Sequence, residues 1–480
     1  MSRRQFGAYT LATAMGAATA ACSSSNSRPT PSQSKTEPAR DREFPRGFRW
    51  GVATSAYQIE GAVSADGRGR SIWDTFCATP GRIADGSSGA VACDHYHRWQ
   101  ADLDLMQTLG IGSYRFSVAW PRVLPEGRGK VNRRGLDFYD RLVDALLARS
   151  ISPMATLYHW DLPQALQDRG GWESRDSADW FADYATVLFT ALGDRVDHWL
   201  TINEAKIIAQ QGYQYGRMAP GKTEPRAAGM VIHHLNLAHG RAVAAFRASA
   251  TTGRIGPCVQ LAPCYPADSS PEAVAAARAA DTVENSLYLD PVLKGSYPTL
   301  DDKDRELAAG LDAAVRARDL AEIAAAVDFV GVNYYSPVVV DGLGQPVQPH
   351  PVSAAGWQQV YPEGVYDALT RLHRDYGSPE VMITENGLPD DPADAADPAA
   401  DQTRVSFLTQ HLAAVHRAIA DGCRITGFHA WSLLDNFEWA AGYTQRWGLV
   451  GVDFNTLERR PKTSATWYSG VARSNRLPSQ

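Results

Sequence analysis

Two glutamates stand at the ends of short apolar runs, in Thr201-Ile202-Asn203-Glu204 and in Ile383-Thr384-Glu385-Asn386-Gly387. A carboxylate in such a place is expensive, because a buried charge destabilises the fold unless something pairs with it. One such glutamate could be half of a structural salt bridge, with Arg115 of Tyr114-Arg115-Phe116 as its partner. Two need another reason. Other apolar runs end in Gln58, in His159 followed by Trp160, in Tyr335, and in Trp431 followed by Glu438 and Trp439. Amides and imidazoles hydrogen-bond hydroxyls, and indole faces stack on the C–H surfaces of sugars. Paired carboxylates in that company fit glycoside chemistry: one carboxyl protonates the leaving oxygen while the other attacks the anomeric carbon or activates water.

These residues can act together only if the chain gathers its strand ends. Strand-like runs are predicted at 48–53, 113–118, 153–159, 198–203, 255–261, 329–335, 381–385 and 426–432. Helical periodicity fills the intervals, as at 136–149, 180–192, 232–248 and 403–420. Eight strand–helix alternations with no second compositional regime predict an α/β chain, a single (β/α)8 TIM barrel with long loops over 43–480. Chemistry in such a barrel sits at the carboxyl ends of the strands, where the residues above fall. A doubly wound sheet would need a glycine-rich phosphate turn after its first strand, and Gly51 to Gly61 lacks that spacing. The acidic stretch from Asp390 to Asp401 reads as a solvated loop after the seventh strand.

Composition narrows the class further. With 480 residues, 44% hydrophobic and 21% charged, the chain has ample core and is not disordered as a whole. Forty-seven basic against fifty-three acidic residues leave a net charge of −6 and no basic field for a nucleic-acid partner. The thirteen Trp suit a flat-faced ligand, aromatic core packing being the plainer reading. At the amino terminus, Arg3-Arg4 precedes an apolar run, 7–21, too short and too weakly apolar to span a membrane. This resembles a twin-arginine export signal over 1–22. Cys22 follows Thr19-Ala20-Ala21 as in a lipoprotein processing site, though with Thr19 where Leu is usual. The Ser/Pro/Thr-rich segment 23–42 then reads as a flexible tether. The expected location is extracellular or in the cell envelope, with membrane contact only through a lipid on Cys22.

Cys77 with Cys93, or Cys258 with Cys264, could pair in an oxidising compartment, and no cysteine spacing suits a zinc site. His95 and His97 would point in different directions on a helix, which favours packing or capping over metal binding. His233 and His234 open an amphipathic helix, as a packing and a surface residue respectively. No Gly-x-Ser-x-Gly elbow, His-Glu-x-x-His helix or Walker loop is present, so the chemistry calls for no cofactor and no metal.

FRWGVATSAYQIEG from Phe48, YRFSVAWPR from Tyr114, YHWDLP from Tyr158 and TINE from Thr201 resemble glycoside hydrolase family 1. So do HHLNLAHGRA from His233, ITENG from Ile383 and WSLLDNFEWAAGY from Trp431. The resemblance implies a retaining, exo-acting β-glycosidase of the β-glucosidase type, with galactosides and fucosides as further substrates. It implies Glu204 as general acid/base and Glu385 as nucleophile. Arg115 and Tyr335 would then keep Glu385 ionised, and Glu204 would need a raised pKa. Direct attack needs the two carboxyls about 5–5.5 Å apart. By the same resemblance Asn203 donates to the 2-hydroxyl, while Gln58, His159, Glu438 and Trp439 grip the 3-, 4- and 6-hydroxyls. Trp431 forms the stacking floor. Ala205 departs from the family's usual Pro, and Trp447 from its usual Phe or Tyr. A transglycosidase is the alternative, and a non-catalytic sugar-binding protein ranks last, because such relatives lose one or both Glu.

Overall fold

Eight short runs rich in Val, Ile, Leu and aromatic residues become the parallel strands of a closed barrel. They are β1 (Arg49–Ala53), β2 (Ser113–Ser117), β3 (Ser152–Tyr158) and β4 (His198–Asn203). Then come β5 (Arg254–Gln260), β6 (Val330–Asn333), β7 (Val381–Asn386) and β8 (Ile425–Trp431). The computed structural model describes residues 42–394 and 399–479. The export signal, Cys22 and the tether up to residue 41 lie outside the described residues. Each predicted run contains one strand, with ends displaced by two residues at most. Strands covered on both faces read as near-continuous apolar runs, which is why they stand out.

The strands pair in chain order, and β8 closes the ring on β1 through Phe428 opposite Trp50 and Trp431 opposite Ala53. Met154, Leu200, Cys258 and Met382, from β3, β4, β5 and β7, form one buried cluster with Phe329, which just precedes β6. Helices between the strands cover the outside. In Arg133–Ala148 the buried Leu136, Tyr139, Val143 and Leu146 recur at helical spacing and make one apolar stripe. Pro225, at the first position of Pro225–Ala248, suits a helix start because its missing N–H would have no partner there. The segment carrying Gln58 is fixed by Glu60, which accepts from Tyr139 Oη at 2.6 Å and from Arg122 Nε at 3.0 Å. Removing one partner of such a buried pair costs about 3–5 kcal/mol. Arg42 pairs with Leu477, so the folded body includes the last residue assigned to the tether.

Three expectations need correction. All five described cysteines are free thiols: the Cys93 Sγ donates to the Asp435 carbonyl, and Cys264 Sγ to that of Ala262, so neither proposed pair forms. His234 is buried, not on the surface. Its helix begins at Pro225, earlier than periodicity suggests, which carries His234 under other elements and onto the Trp172 carbonyl at 2.9 Å. The ends of the acidic stretch are anchored rather than solvated. Asp390 accepts from Arg404 at 2.6 Å and Lys462 at 2.7 Å, and buried Asp401 pairs with Arg404 and caps the Ser464 N–H. Residues 395–398 lie outside the described residues. Buried cations at Arg404 and Lys462 demand those anions.

Candidate active site

The carboxyl ends of the strands do not run straight into their loops. Pairing slips between Leu200 and Asn203 where β4 meets β5, and between Ile383 and Glu385 where β7 meets β6. Bulges of this kind re-aim side chains, and here they fall at the two strands that carry the glutamates. Glu204 itself has left-handed backbone (φ 50°), as do Trp160 (φ 79°) and Trp439 (φ 50°) in the same cavity. Such conformations cost of order 1–3 kcal/mol each in non-glycine residues and collect at functional sites. Gly387 follows the second glutamate because a side chain there would strike the Trp431 carbonyl, 1.9 Å from a Cβ.

Arg115 of β2, fully buried, holds the centre. Its Nη1 donates to Glu385 Oε1 and, at 3.3 Å, to the Thr384 carbonyl. Its Nη2 donates to Asn203 Oδ1 at 2.6 Å, and its Nε to Thr156 Oγ1 at 3.0 Å. The Tyr335 hydroxyl donates to Glu385 Oε2 at 2.8 Å, so both oxygens of that carboxylate are engaged. Glu204 has a different setting: Oε1 accepts from Asn333 Nδ2 at 2.6 Å, and Asn333 is a neutral amide. Burial, and then the charge of Glu385, push the Glu204 carboxyl up to about 8. Glu438 is pushed up to about 8 for the same two reasons, against a hydrogen bond from Gln58. Glu204, Glu385 and Glu438 therefore share one cavity with Glu284, and of the first three only Glu385 is paired with Arg115.

Arginine can only donate, so the Asn203 atom facing Arg115 is its carbonyl and the amide nitrogen faces His159 Nε2, 3.1 Å away. His159 thus accepts at Nε2 and carries its proton on Nδ1, which has no partner among the described residues. Burial, then the Arg115 charge, hold its pKa far below the usual value, so the ring is neutral. Trp431 and Trp439 lie nearly parallel to it, at 5.9 and 5.8 Å.

The cavity measures about 540 Å³. Of the residues predicted from sequence, Glu204, Glu385, His159, Tyr335, Trp431, Glu438 and Trp439 line it. Arg115, Asn203 and Gln58 are buried beside it and act on those that do. Gln58 Nε2 lies 3.3 Å from Glu438 Oε2 and 2.9 Å from Asn436 Oδ1, while Ser55 donates to its Oε1 at 2.6 Å. Sequence reasoning missed Asn333, which also donates to Asn203 and accepts from Thr384 at 2.6 Å. Its only signal is its place at the end of an apolar strand. Ala205, in place of the family's proline, starts the short helix Ala205–Ile207 all the same.

Residues 40–477 match the model of glycosyl hydrolase family 1. The chain belongs to that family. It is 46% identical over 447 residues to a 1,4-β-D-glucan glucohydrolase of Thermotoga neapolitana, covering 91% of this chain and 99% of that one. A thermostable β-glucosidase B of Thermobispora bispora is 45% identical over 453 residues, covering 92% and 93%. The structure of a β-glucosidase from Thermotoga maritima in complex with glucoimidazole superposes with a TM-score of 0.86 at 45% identity, covering 90% of this chain and 99% of that one. The chain is a glycoside hydrolase on a (β/α)8 barrel.

The coupling between the two central carboxyls is measurable. Glu385→Gln removes a neighbouring negative charge, so the Glu204 carboxyl should titrate lower than in the unaltered protein, yet still above an ordinary glutamate because burial is the larger cause. Carboxyl-carbon NMR of glutamate-labelled protein reads this directly. An unmoved Glu204 titration would contradict it.

Proposed function

We propose that this cavity hydrolyses non-reducing terminal β-D-glucosides with retention of configuration, Glu385 acting as nucleophile and Glu204 as general acid/base. The observation that carries the division of roles is the unequal setting of the two carboxyls. Glu385 is fixed by a buried cation and a phenol, as an attacking carboxylate must be. Glu204 is buried against a neutral amide, in a setting that keeps its proton. Glu385 attacks the anomeric carbon as Glu204 gives its proton to the departing oxygen, which forms a glycosyl-enzyme ester and frees the alcohol. Glu204, now a carboxylate, takes a proton from water. The oxygen of that water displaces Glu385, and both side chains return to their first state.

The relatives support glucose at the terminal position, being named β-glucosidases or a glucan glucohydrolase. Glu438, oriented by Gln58, offers two oxygens to sugar hydroxyls, Trp431 gives the ring a flat face, and His159 presents an unpartnered N–H. Glu204→Ala should lower kcat/KM for alkyl glucosides by about 10²–10⁴-fold and for dinitrophenyl glucosides far less. In that variant azide should return a β-glucosyl azide. Equal losses across leaving groups would contradict the acid role.

We further propose that residues 1–22 direct export, that Cys22 carries a lipid, and that 23–41 tether the enzyme in the envelope. The support is the Arg3-Arg4 pair, the short apolar run and the small residues before Cys22. Replacing Arg3 and Arg4 with Lys should hold the protein in the cytoplasm, as cell fractionation would read. Unchanged appearance in the envelope would overturn the export reading, and a labelled lipid precursor that leaves Cys22 unmarked would remove the anchor.

A further inference from the structure

Lys206 and Glu284 line the same cavity, and neither forms or breaks a bond in the steps proposed above. Lys206 lies two residues after Glu204 with its side chain only 5% exposed, and its Nζ donates to Glu284 Oε2 at 3.0 Å. Glu284 comes from Thr282–Ser286, and Lys206 sits in the short helix Ala205–Ile207 that runs into Ile208–Gln214; Thr282–Ser286 and Ile208–Gln214 are wound as π-helices. Single π-helical turns are rare and recur at functional sites. With Lys206 this buried the pair is a poor source of stability, because desolvation of the ammonium offsets the attraction. The fold alone does not call for it.

The pair has hydrogen-bonding capacity to spare. An ammonium has three N–H donors and a carboxylate about four acceptor sites, of which one each is spent between Lys206 and Glu284. Gln210 adds a buried amide to the same wall. The cavity also carries flat apolar surface: Trp357, 49% exposed, stacks on Trp447 with ring centres 6.2 Å apart and planes at 24°. A polar rim with a C–H face is the shape of a sugar ring. An aryl or alkyl group would meet the indoles and leave the Lys206 donors stripped of water without a partner, which is the costly outcome for a buried polar group.

We propose that the Lys206–Glu284 pair is a specificity-determining element that reads the leaving group and selects a second sugar over an aryl or alkyl group. The inference rests on the β-glucoside reading above and narrows its substrates to β-linked disaccharides and longer oligosaccharides. The Lys206 charge also acts on the Glu204 carboxyl and opposes the rise in its pKa. The test must therefore separate recognition of hydroxyls from an effect on the acid. Octyl β-glucoside does so: its leaving group needs the acid as much as a sugar does, but offers no hydroxyls.

The experiment compares kcat/KM for cellobiose, octyl β-glucoside and 4-nitrophenyl β-glucoside in the full chain and in Lys206→Met, Lys206→Arg and Glu284→Gln. The cellobiose-to-octyl ratio should fall about 10- to 100-fold in Lys206→Met, the loss expected for a charge-assisted hydrogen bond. It should fall in the same direction in Glu284→Gln and stay within about threefold in Lys206→Arg. Equal loss for cellobiose and octyl glucoside would show Lys206 acting through the acid, and uniform loss on all three substrates a purely structural role. Either outcome, or an unchanged ratio, would overturn the proposal. If Lys206→Met does not fold, the Glu284→Gln ratio decides. Failure of the unaltered protein on all three glucosides would instead overturn the underlying β-glucoside reading.

Discussion

The ion pair between Arg115 and Glu385 is the constraint on which the site depends. Arg115 is fully buried, and the hydrogen bonds from its nitrogens reach β3, β4 and β7. A guanidinium so placed is tolerated only because it is surrounded by acceptors, and the carboxylate it holds is tolerated only because of it. Its fixed donor pattern propagates outward: it settles which way Asn203 faces, and Asn203 settles which nitrogen of His159 carries the proton. One cation thus orients a carboxylate, an amide and an imidazole across three strands.

Electrostatics then separates the roles of the remaining carboxyls. Glu204 and Glu438 share the cavity with Glu385, and Arg115 is committed to Glu385. Glu204 and Glu438 keep their protons to higher pH, through burial first and the neighbouring charge second. Preorganisation of this kind is bought with local strain, seen in the left-handed backbone of Trp160, Glu204 and Trp439 and in the bulges beside Asn203 and Glu385. The barrel can carry that strain because its interior cluster and its closed ring of pairings are continuous beneath the site.

Much of this is legible in the sequence, for physical reasons. Buried parallel strands read as apolar runs, and a glutamate at the end of such a run stands out because burying it is costly; Glu204 and Glu385 were both visible in that way. What escapes sequence reading is what depends on distant partners. Asn333 bridges Glu204 and Asn203 from an unremarkable strand end. Lys206 meets Glu284 across 78 residues of chain. Asp401 looks solvated by composition, yet it is buried because Arg404 and Ser464 come to it. His234 looks exposed only while its helix is taken to begin at 232 rather than at Pro225.

The central claim is that Glu385 forms a covalent bond to the sugar. It is tested most directly by incubating the enzyme with 2,4-dinitrophenyl 2-deoxy-2-fluoro-β-glucoside and locating the added mass by peptide mass spectrometry. The electron-withdrawing fluorine slows both steps and the good leaving group restores the first, so the ester should accumulate with one sugar per chain on Glu385. A label on Glu204, Glu438 or any other residue, or full inactivation with no covalent adduct, would contradict the account.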